Sequence, residues 1–164
     1  MRLAQFEPDI PQNTGAIARL SACLGLALDI IEPAGFPVSD RAFRRAGMDY
    51  LDKVEIRRHE SFASFDAWRR CGGMRLVLAT TKAHISYVDF GFANLDIVLF
   101  GRESAGAPAA VHASADARLV IPMREGLRSL NVALAAAMIA GEALRQTGRF
   151  PAMHDREAAR PSSA

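Results

Sequence analysis

The chain has 164 residues, 50% of them hydrophobic and 23% charged, which is the size and make-up of one globular domain with a real core. Its two cysteines, Cys23 and Cys71, lie far apart with no CxxC or Cys/His cluster, so neither a disulfide framework nor a zinc site is suggested; both are expected to be buried as small hydrophobes. A net charge of +2 does not by itself establish a nucleic-acid partner.

The first residues, MRLAQFEPDIP, show no long apolar stretch behind a basic start, so neither a secretory signal nor a transit peptide is expected and a cytoplasmic location is the default. Lysine occurs only at Lys53 and Lys82 and the other basic residues are arginine. The guanidinium fork suits phosphate, although a GC-rich genome writing Arg codons produces the same bias.

In chain order, Leu3 to Phe6 reads as a strand broken by Glu7 to Pro11. A helix is expected to start at Asn13-Thr14-Gly15, with Ile17, Leu20, Cys23 and Leu24 at helical spacing and Gly25 as its stop. Leu26 to Ile31 is a second strand. Asp40 is expected to cap a helix carrying Phe43, Arg44 and Arg45, closed by Gly47. Val54 to Arg57 is a weak third strand, and Ser61 to Arg70 a helix with Phe62, Phe65 and Trp68 on one side, ended by Gly72-Gly73.

Leu76 to Ala79 and Ile97 to Phe100 are continuous apolar runs, as in strands covered on both faces of a parallel sheet. Between them, Lys82 to Phe92 has no clear period and reads as a loop with one short element. Arg118 to Ile121 is the last strand, followed by a polar loop and an apolar run. Ser129 is expected to open that helix by accepting a first-turn N–H. From Val132 to Gly141 the helix is apolar on every side, so it calls for packing all round, in a core or a subunit interface. It is too short to span a membrane, which takes roughly 20 apolar residues. Alternating strands and helices argue for an α/β fold, a parallel sheet with helices on both faces. One domain is expected over residues 1–150 and a mobile tail over 151–164, where apolar residues thin out.

Ligands in such sheets collect at the C-terminal ends of the strands. Four of those ends carry polar or glycine-rich sequence: Asn13-Thr14-Gly15, Thr80-Thr81-Lys82, Gly101 to Gly106, and Met123 to Ser129. Gly101 to Gly106 lacks the Lys-Ser/Thr of a P-loop, and no G-x-G-x-x-G follows the first strand. The two glycines can equally serve a tight turn, Glu103 a backbone cap or a solvated position, and Arg19 a solvated or salt-bridged helix surface. His59, His84, His112 and His154 share no ligand-like or triad-like spacing, so no metal or serine-hydrolase chemistry is expected.

Three stretches in order, PDIPQNTGAIARL (Pro8 to Leu20), LFGRESAGAP (Leu99 to Pro108) and IPMREGLRSLNVA (Ile121 to Ala133), resemble the three signature motifs of the SPOUT superfamily of RNA methyltransferases. The likeness runs from residue 3 to about residue 151. It is strongest to the small subfamily that methylates the ribose 2′-oxygen of the wobble nucleotide, cytidine or uridine, in the tRNA anticodon loop. What the resemblance implies is a C-terminal deep trefoil knot, S-adenosylmethionine as cofactor, and a homodimer formed through the last helix. It places the cofactor at Ala79, Gly101, Ile121 and Ser129. It places the chemistry at Arg19, with Ser129 and Asn131 assisting, and the RNA against Asn13, Arg19, Lys82, Arg102, Glu103, Arg124 and Arg128. Gly101 is expected to be bare because a side chain there would fill the cofactor's space.

The chain departs from the family pattern at Ala16, Arg102, Ala133 and Leu134, which bears on substrate choice. With the first motif so near the first residue, the dimer surface itself is expected to grip the RNA, and the single-stranded loop of the anticodon stem-loop would let a splayed nucleotide enter. The alternatives are ribose methylation at another tRNA or rRNA position, and a non-catalytic flavodoxin-like nucleotide-binding domain.

Overall fold

The computed structural model describes residues 1–37 and 41–152. Asp40, the expected helix cap, and residues 153–164 of the expected tail lie outside them. The described elements run β1 (Arg2–Phe6), α1 (Pro11–Leu24), β2 (Ala27–Ile31), α2 (Arg41–Gly47), a 3₁₀ turn (Met48–Lys53), β3 (Ile56–His59), α3 (Phe62–Cys71), β4 (Arg75–Ala79), β5 (Ile85–Ser86), β6 (Asp96–Phe100), α4 (Ala109–Ser114), β7 (Ala117–Val120) and α5 (Val132–Thr147).

All the described strands join one parallel sheet in the order β3-β2-β1-β6-β4-β7-β5. The expected α/β architecture is therefore present. Side chains alternate between the two faces, as the two-residue period requires. Val77, Val98 and Phe100 enter one cluster with Ile17 of α1, Phe43 of α2 and Ile139 of α5. Leu76, Leu78, Ile97 and Leu99 enter the other, with Phe65 of α3 and Val111 of α4. Every residue of β6 is buried, which accounts for its unbroken apolar run.

Several boundaries differ from expectation for identifiable reasons. Helix α1 starts at Pro11 and not at Asn13, since proline lacks only an N–H that the first turn leaves unpaired. Gly25 ends it in the left-handed region at φ 66°, and the Leu26 N–H bonds the Ser21 carbonyl at 2.9 Å. Strand β3 lies two residues later than expected, at a register that pairs Ile56 with Leu28 and His59 with Ile31. That register brings buried His59 Nε2 to within 2.8 Å of Asp29 Oδ1, while Arg2 Nε donates to Asp29 Oδ2 at 2.7 Å. A buried charge is thus paired on both sides.

Helix α5 is capped by Asn131 and not by Ser129. The Asn131 Oδ1 accepts the N–H groups of Ala133 at 2.8 Å and Leu134 at 3.4 Å, which leaves Ser129 in the preceding loop. Within one protomer, α5 is packed on one side only. Ala136, Ile139, Ala140, Ala143 and Leu144 are buried, whereas Leu134 is 60% exposed, Met138 40% exposed, and Ala137 lies open between them. Both cysteines are exposed, against expectation. Cys23 falls off the buried Thr14, Ile17, Ala18 and Ser21 stripe of α1, and Cys71 sits in the last turn of α3.

Among the described residues no helix is long and apolar enough to cross a membrane, and no group of His, Cys, Asp or Glu could hold a metal ion.

Candidate active site

Strands β4, β6 and β7 end side by side, and the segments that leave them enclose one cavity of about 540 Å³. Ala79 and Thr80 come from the end of β4, Gly101 to Glu103 from the end of β6, and Ile121 from just past β7. Asn13, in the first turns of α1, and the segment from Arg128 to Val132 close it. Of the residues singled out from the sequence, the structure brings Ala79, Lys82, Gly101, Arg102, Glu103, Ile121, Arg128, Ser129, Asn131 and Asn13 to this cavity. It leaves Arg19 and Arg124 off the lining.

The loop after β6 turns back on itself. Arg102 N–H donates to the Gly106 carbonyl at 3.1 Å and Gly106 N–H to the Arg102 carbonyl at 2.7 Å. A Cβ on Gly101 would stand 2.5 Å from both Ala107 N and Gly106 C, so the loop's own backbone demands glycine there. The loop thus gives a reason for glycine at 101 that is independent of any ligand.

Glu103 is the hub of the polar wall. Its Oε2 accepts the Asp9 backbone N–H at 3.0 Å and its Oε1 accepts Asn13 Nδ2 at 3.2 Å. Asn13 Oδ1 in turn accepts Asn131 Nδ2 at 2.9 Å. The Asp9 carboxyl takes the hydroxyl of Ser104 and stands beside the Glu103 carboxyl that accepts its own backbone N–H. Burial and then the Asp9 contact push the Glu103 carboxyl above its usual range. Burial works in the same sense on Asp9. There the hydrogen bonds from Glu103 and Ser104 and the charge of Arg102 outweigh it and hold the carboxyl low.

Arg102, expected to face RNA, is turned inward at its Nε, which donates to the Glu7 carbonyl at 3.1 Å; its guanidinium also lies 3.5 Å from the Glu7 carboxylate and 3.9 Å from that of Asp9. Arg19 is exposed on α1, its Cζ 4.9 Å from the centre of the Tyr50 ring. That agrees with the expectation that it faces away from Ile17 and Leu20.

Sequence reasoning missed Asp9 and His112. Asp9 lies within the first motif stretch, and only the fold carries Glu103 to it. His112 lines the cavity from α4, its imidazole pKa lowered by burial and then by the positive charges of Lys82 and Arg118. Nothing in its neighbourhood along the chain marks it.

The walls combine apolar surface from Phe100, Leu119 and Ile139 with the polar groups of Thr80, Ser129 and Asn131. A cavity of this size and mixture suits a nucleoside-sized ligand with both apolar and hydrogen-bonding parts. Beside it, Lys82 and Arg128 offer positive charge to an anion.

Residues 1–141 match the model of the SpoU rRNA Methylase family. A tRNA (cytidine(34)-2'-O)-methyltransferase of Ancylobacter novellus is 67% identical over 150 residues, covering 92% of this chain and 95% of that protein. The protein of the same name from Escherichia coli K12 is 36% identical over 150 residues, covering 90% and 94%. Among solved structures, one described as giving structural insights into the 2-OH methylation of C/U34 on tRNA superposes with a TM-score of 0.84 at 41% identity, covering 88% of this chain and 94% of that one. The SpoU methyltransferase AviRb of Streptomyces viridochromogenes in complex with AdoMet superposes with a TM-score of 0.82 at 30% identity, covering 89% of this chain and 57% of that one.

Proposed function

The chain belongs to the SpoU rRNA Methylase family, and from that premise we propose that it methylates the ribose 2′-oxygen of the wobble nucleotide of tRNA with S-adenosylmethionine as methyl donor. The observation that carries the reading is the convergence of all three motif stretches on one cavity, tied together by the Glu103, Asn13 and Asn131 side chains. The cavity fits the cofactor in size and in its mixture of apolar and polar groups. Ala79, Gly101, Ile121 and Ser129 would hold it, chiefly through main-chain atoms. When bound, it supplies a sulfonium methyl group: the ribose oxygen forms the new C–O bond as the S–CH₃ bond breaks and the hydroxyl proton departs.

The chain's own contribution is alignment and charge stabilisation. Arg19 keeps its proton under ordinary conditions and so is a poor base. It orients the hydroxyl and stabilises the forming alkoxide while an RNA phosphate takes the proton, with Ser129 and Asn131 assisting. Arg19 lies about 9 Å along α1 from Asn13 at the helical rise per residue, so it reaches a ribose from the rim of the cavity or from a second protomer. Lys82, Arg124 and Arg128 contact the backbone of the anticodon stem-loop, and Asn13 and Glu103 shape the wall against which the nucleotide rests. Arg102 contributes mainly by steadying the loop through Glu7 and Asp9.

The exposed Leu134, Ala137 and Met138 face of α5, with Leu130 nearby at 40% exposure, supports a homodimer through that helix. Family membership supports a trefoil knot through the segments around β7 and α5, and one catalytic domain over residues 1–150. Calorimetric titration with S-adenosylmethionine, followed by methylation of tRNA transcripts and mapping of the modified nucleotide, tests the whole reading. A methyl group at another tRNA position or on rRNA would overturn the substrate, and failure to bind the cofactor would overturn the enzyme.

A further inference from the structure

Tyr50 has no part in the three motif stretches and does not line the cavity, yet it is the aromatic ring against which Arg19 lies. The Arg19 Cζ is 4.9 Å from the ring centre, within the range at which a guanidinium is attracted to an aromatic face. Lys53 Nζ stands 6.0 Å from the same ring. Tyr50 is half-buried on the 3₁₀ turn, and Leu51 and Val54 pack from that segment against the main core cluster, so the backbone that carries the ring is anchored.

Stacking engages the face of a guanidinium, while its N–H groups lie in the plane of the fork and recognise oxygen at the edge. An exposed arginine otherwise explores many rotamers, and fixing it costs conformational entropy each time substrate binds. A ring already in place removes part of that cost before the RNA arrives.

We propose that Tyr50 is a positioning residue for methyl transfer, its ring holding the Arg19 guanidinium in the plane that meets the ribose hydroxyl and the neighbouring phosphate. The inference rests on Arg19 acting at the ribose.

The test is single-turnover methylation of tRNA at saturating cofactor and RNA by Tyr50→Phe, Tyr50→Leu, Arg19→Ala and the Tyr50→Leu/Arg19→Ala pair, with cofactor affinity and melting temperature measured on each. Tyr50→Phe keeps the ring and should keep the rate. Tyr50→Leu should slow the step roughly tenfold, through the rotamer freedom that the guanidinium regains, with cofactor affinity unchanged and the protein still folded. In the Arg19→Ala background it should cost nothing more, because a residue that acts only through Arg19 has nothing left to position. Tyr50→Met, unbranched and without a π face, replaces the leucine variant if that does not fold.

A slow Tyr50→Phe would assign the role to the hydroxyl and overturn the proposal. So would a full rate in Tyr50→Leu beside a crippled Arg19→Ala, or an equal loss from Tyr50→Leu in both backgrounds. A full rate in Arg19→Ala would sink both this inference and the reading of Arg19 itself.

Discussion

The side-chain amide of Asn131 donates to Asn13 Oδ1 at 2.9 Å across 118 residues of chain, while its own Oδ1 caps α5 through the Ala133 N–H at 2.8 Å. One side chain therefore joins the start of the last helix to the first motif stretch and, through Asn13, to Glu103. The two duties can be separated. Asn131→Asp retains an oxygen for the cap, with a charge that suits a helix N-terminus, but loses the donor to Asn13. It should melt close to the parent and turn over roughly tenfold more slowly, since a polar group at the site loses its partner. Asn131→Ala should lose the rate and about 1 kcal/mol of stability as well. Thermal melts beside methylation assays decide this, and an Asn131→Asp enzyme with full activity would show that the Asn13 contact is dispensable.

Glu103 and Asp9 should respond to pH in opposite senses. The Glu103 carboxyl is raised from an ordinary value of 4.5, so its contribution to stability is complete below that value and is lost as pH rises through the raised one. Glu103→Gln imitates the protonated form, and its melting temperature should gain on the parent as pH climbs through that window. Asp9 is held below an ordinary value of 3.8, so its contribution is present above it and lost as pH falls through the depressed value. Asp9→Asn should be less stable than the parent near neutrality and converge on it in acid. Melting curves from about pH 3 to pH 7, spanning both ordinary values, are the measurement; parallel curves for parent and variants would refute the pairing.

Ala137 lies on the exposed side of α5 between Leu134 and Met138. An arginine there meets solvent in one protomer but is buried without a partner when two such faces pack. Ala137→Arg should fold and sediment as a monomer at micromolar concentration, where the parent is expected to sediment as a dimer. A dimeric Ala137→Arg would place the interface elsewhere.

Arg19→Ala separates chemistry from binding. If the guanidinium stabilises charge only as the methyl moves, turnover should fall roughly 100-fold or more while cofactor affinity holds. Lysine should rescue it only in part, because an ammonium on a flexible stem cannot hold a phosphate and a hydroxyl together or stack on Tyr50 as a flat fork does. Restoration of the full rate by saturating tRNA, at stated salt, would make Arg19 a phosphate anchor.

Much of this protein was legible in the residues alone. The apolar runs at Leu76 to Ala79 and Ile97 to Phe100 announced doubly covered strands, because a parallel strand between two helical layers has no polar face to display. Glycines at 25 and 101, and the polar segments after the strands, marked where the chain turns and where the cavity opens. The three motif stretches, read as a resemblance, pointed to residues that the fold gathers at one cavity, Arg19 and Arg124 apart.

Tertiary structure decided what local pattern could not carry. β3 reads from the sequence as a weak strand two residues too early, and its bounds become clear only when Asp29 on β2 supplies the partner of buried His59. Asn131 displaced Ser129 as the cap of α5 because the backbone turns helical only after it, and its side chain then found Asn13 at the far end of the chain. Asp9 gained its role from a Glu103 carboxyl 94 residues away. Period and propensity are short-range consequences of the backbone, so the sequence displays them directly. A carboxyl set against a distant backbone N–H, or a guanidinium laid on a ring, depends on where a sheet order of β3-β2-β1-β6-β4-β7-β5 sets its loops down in space.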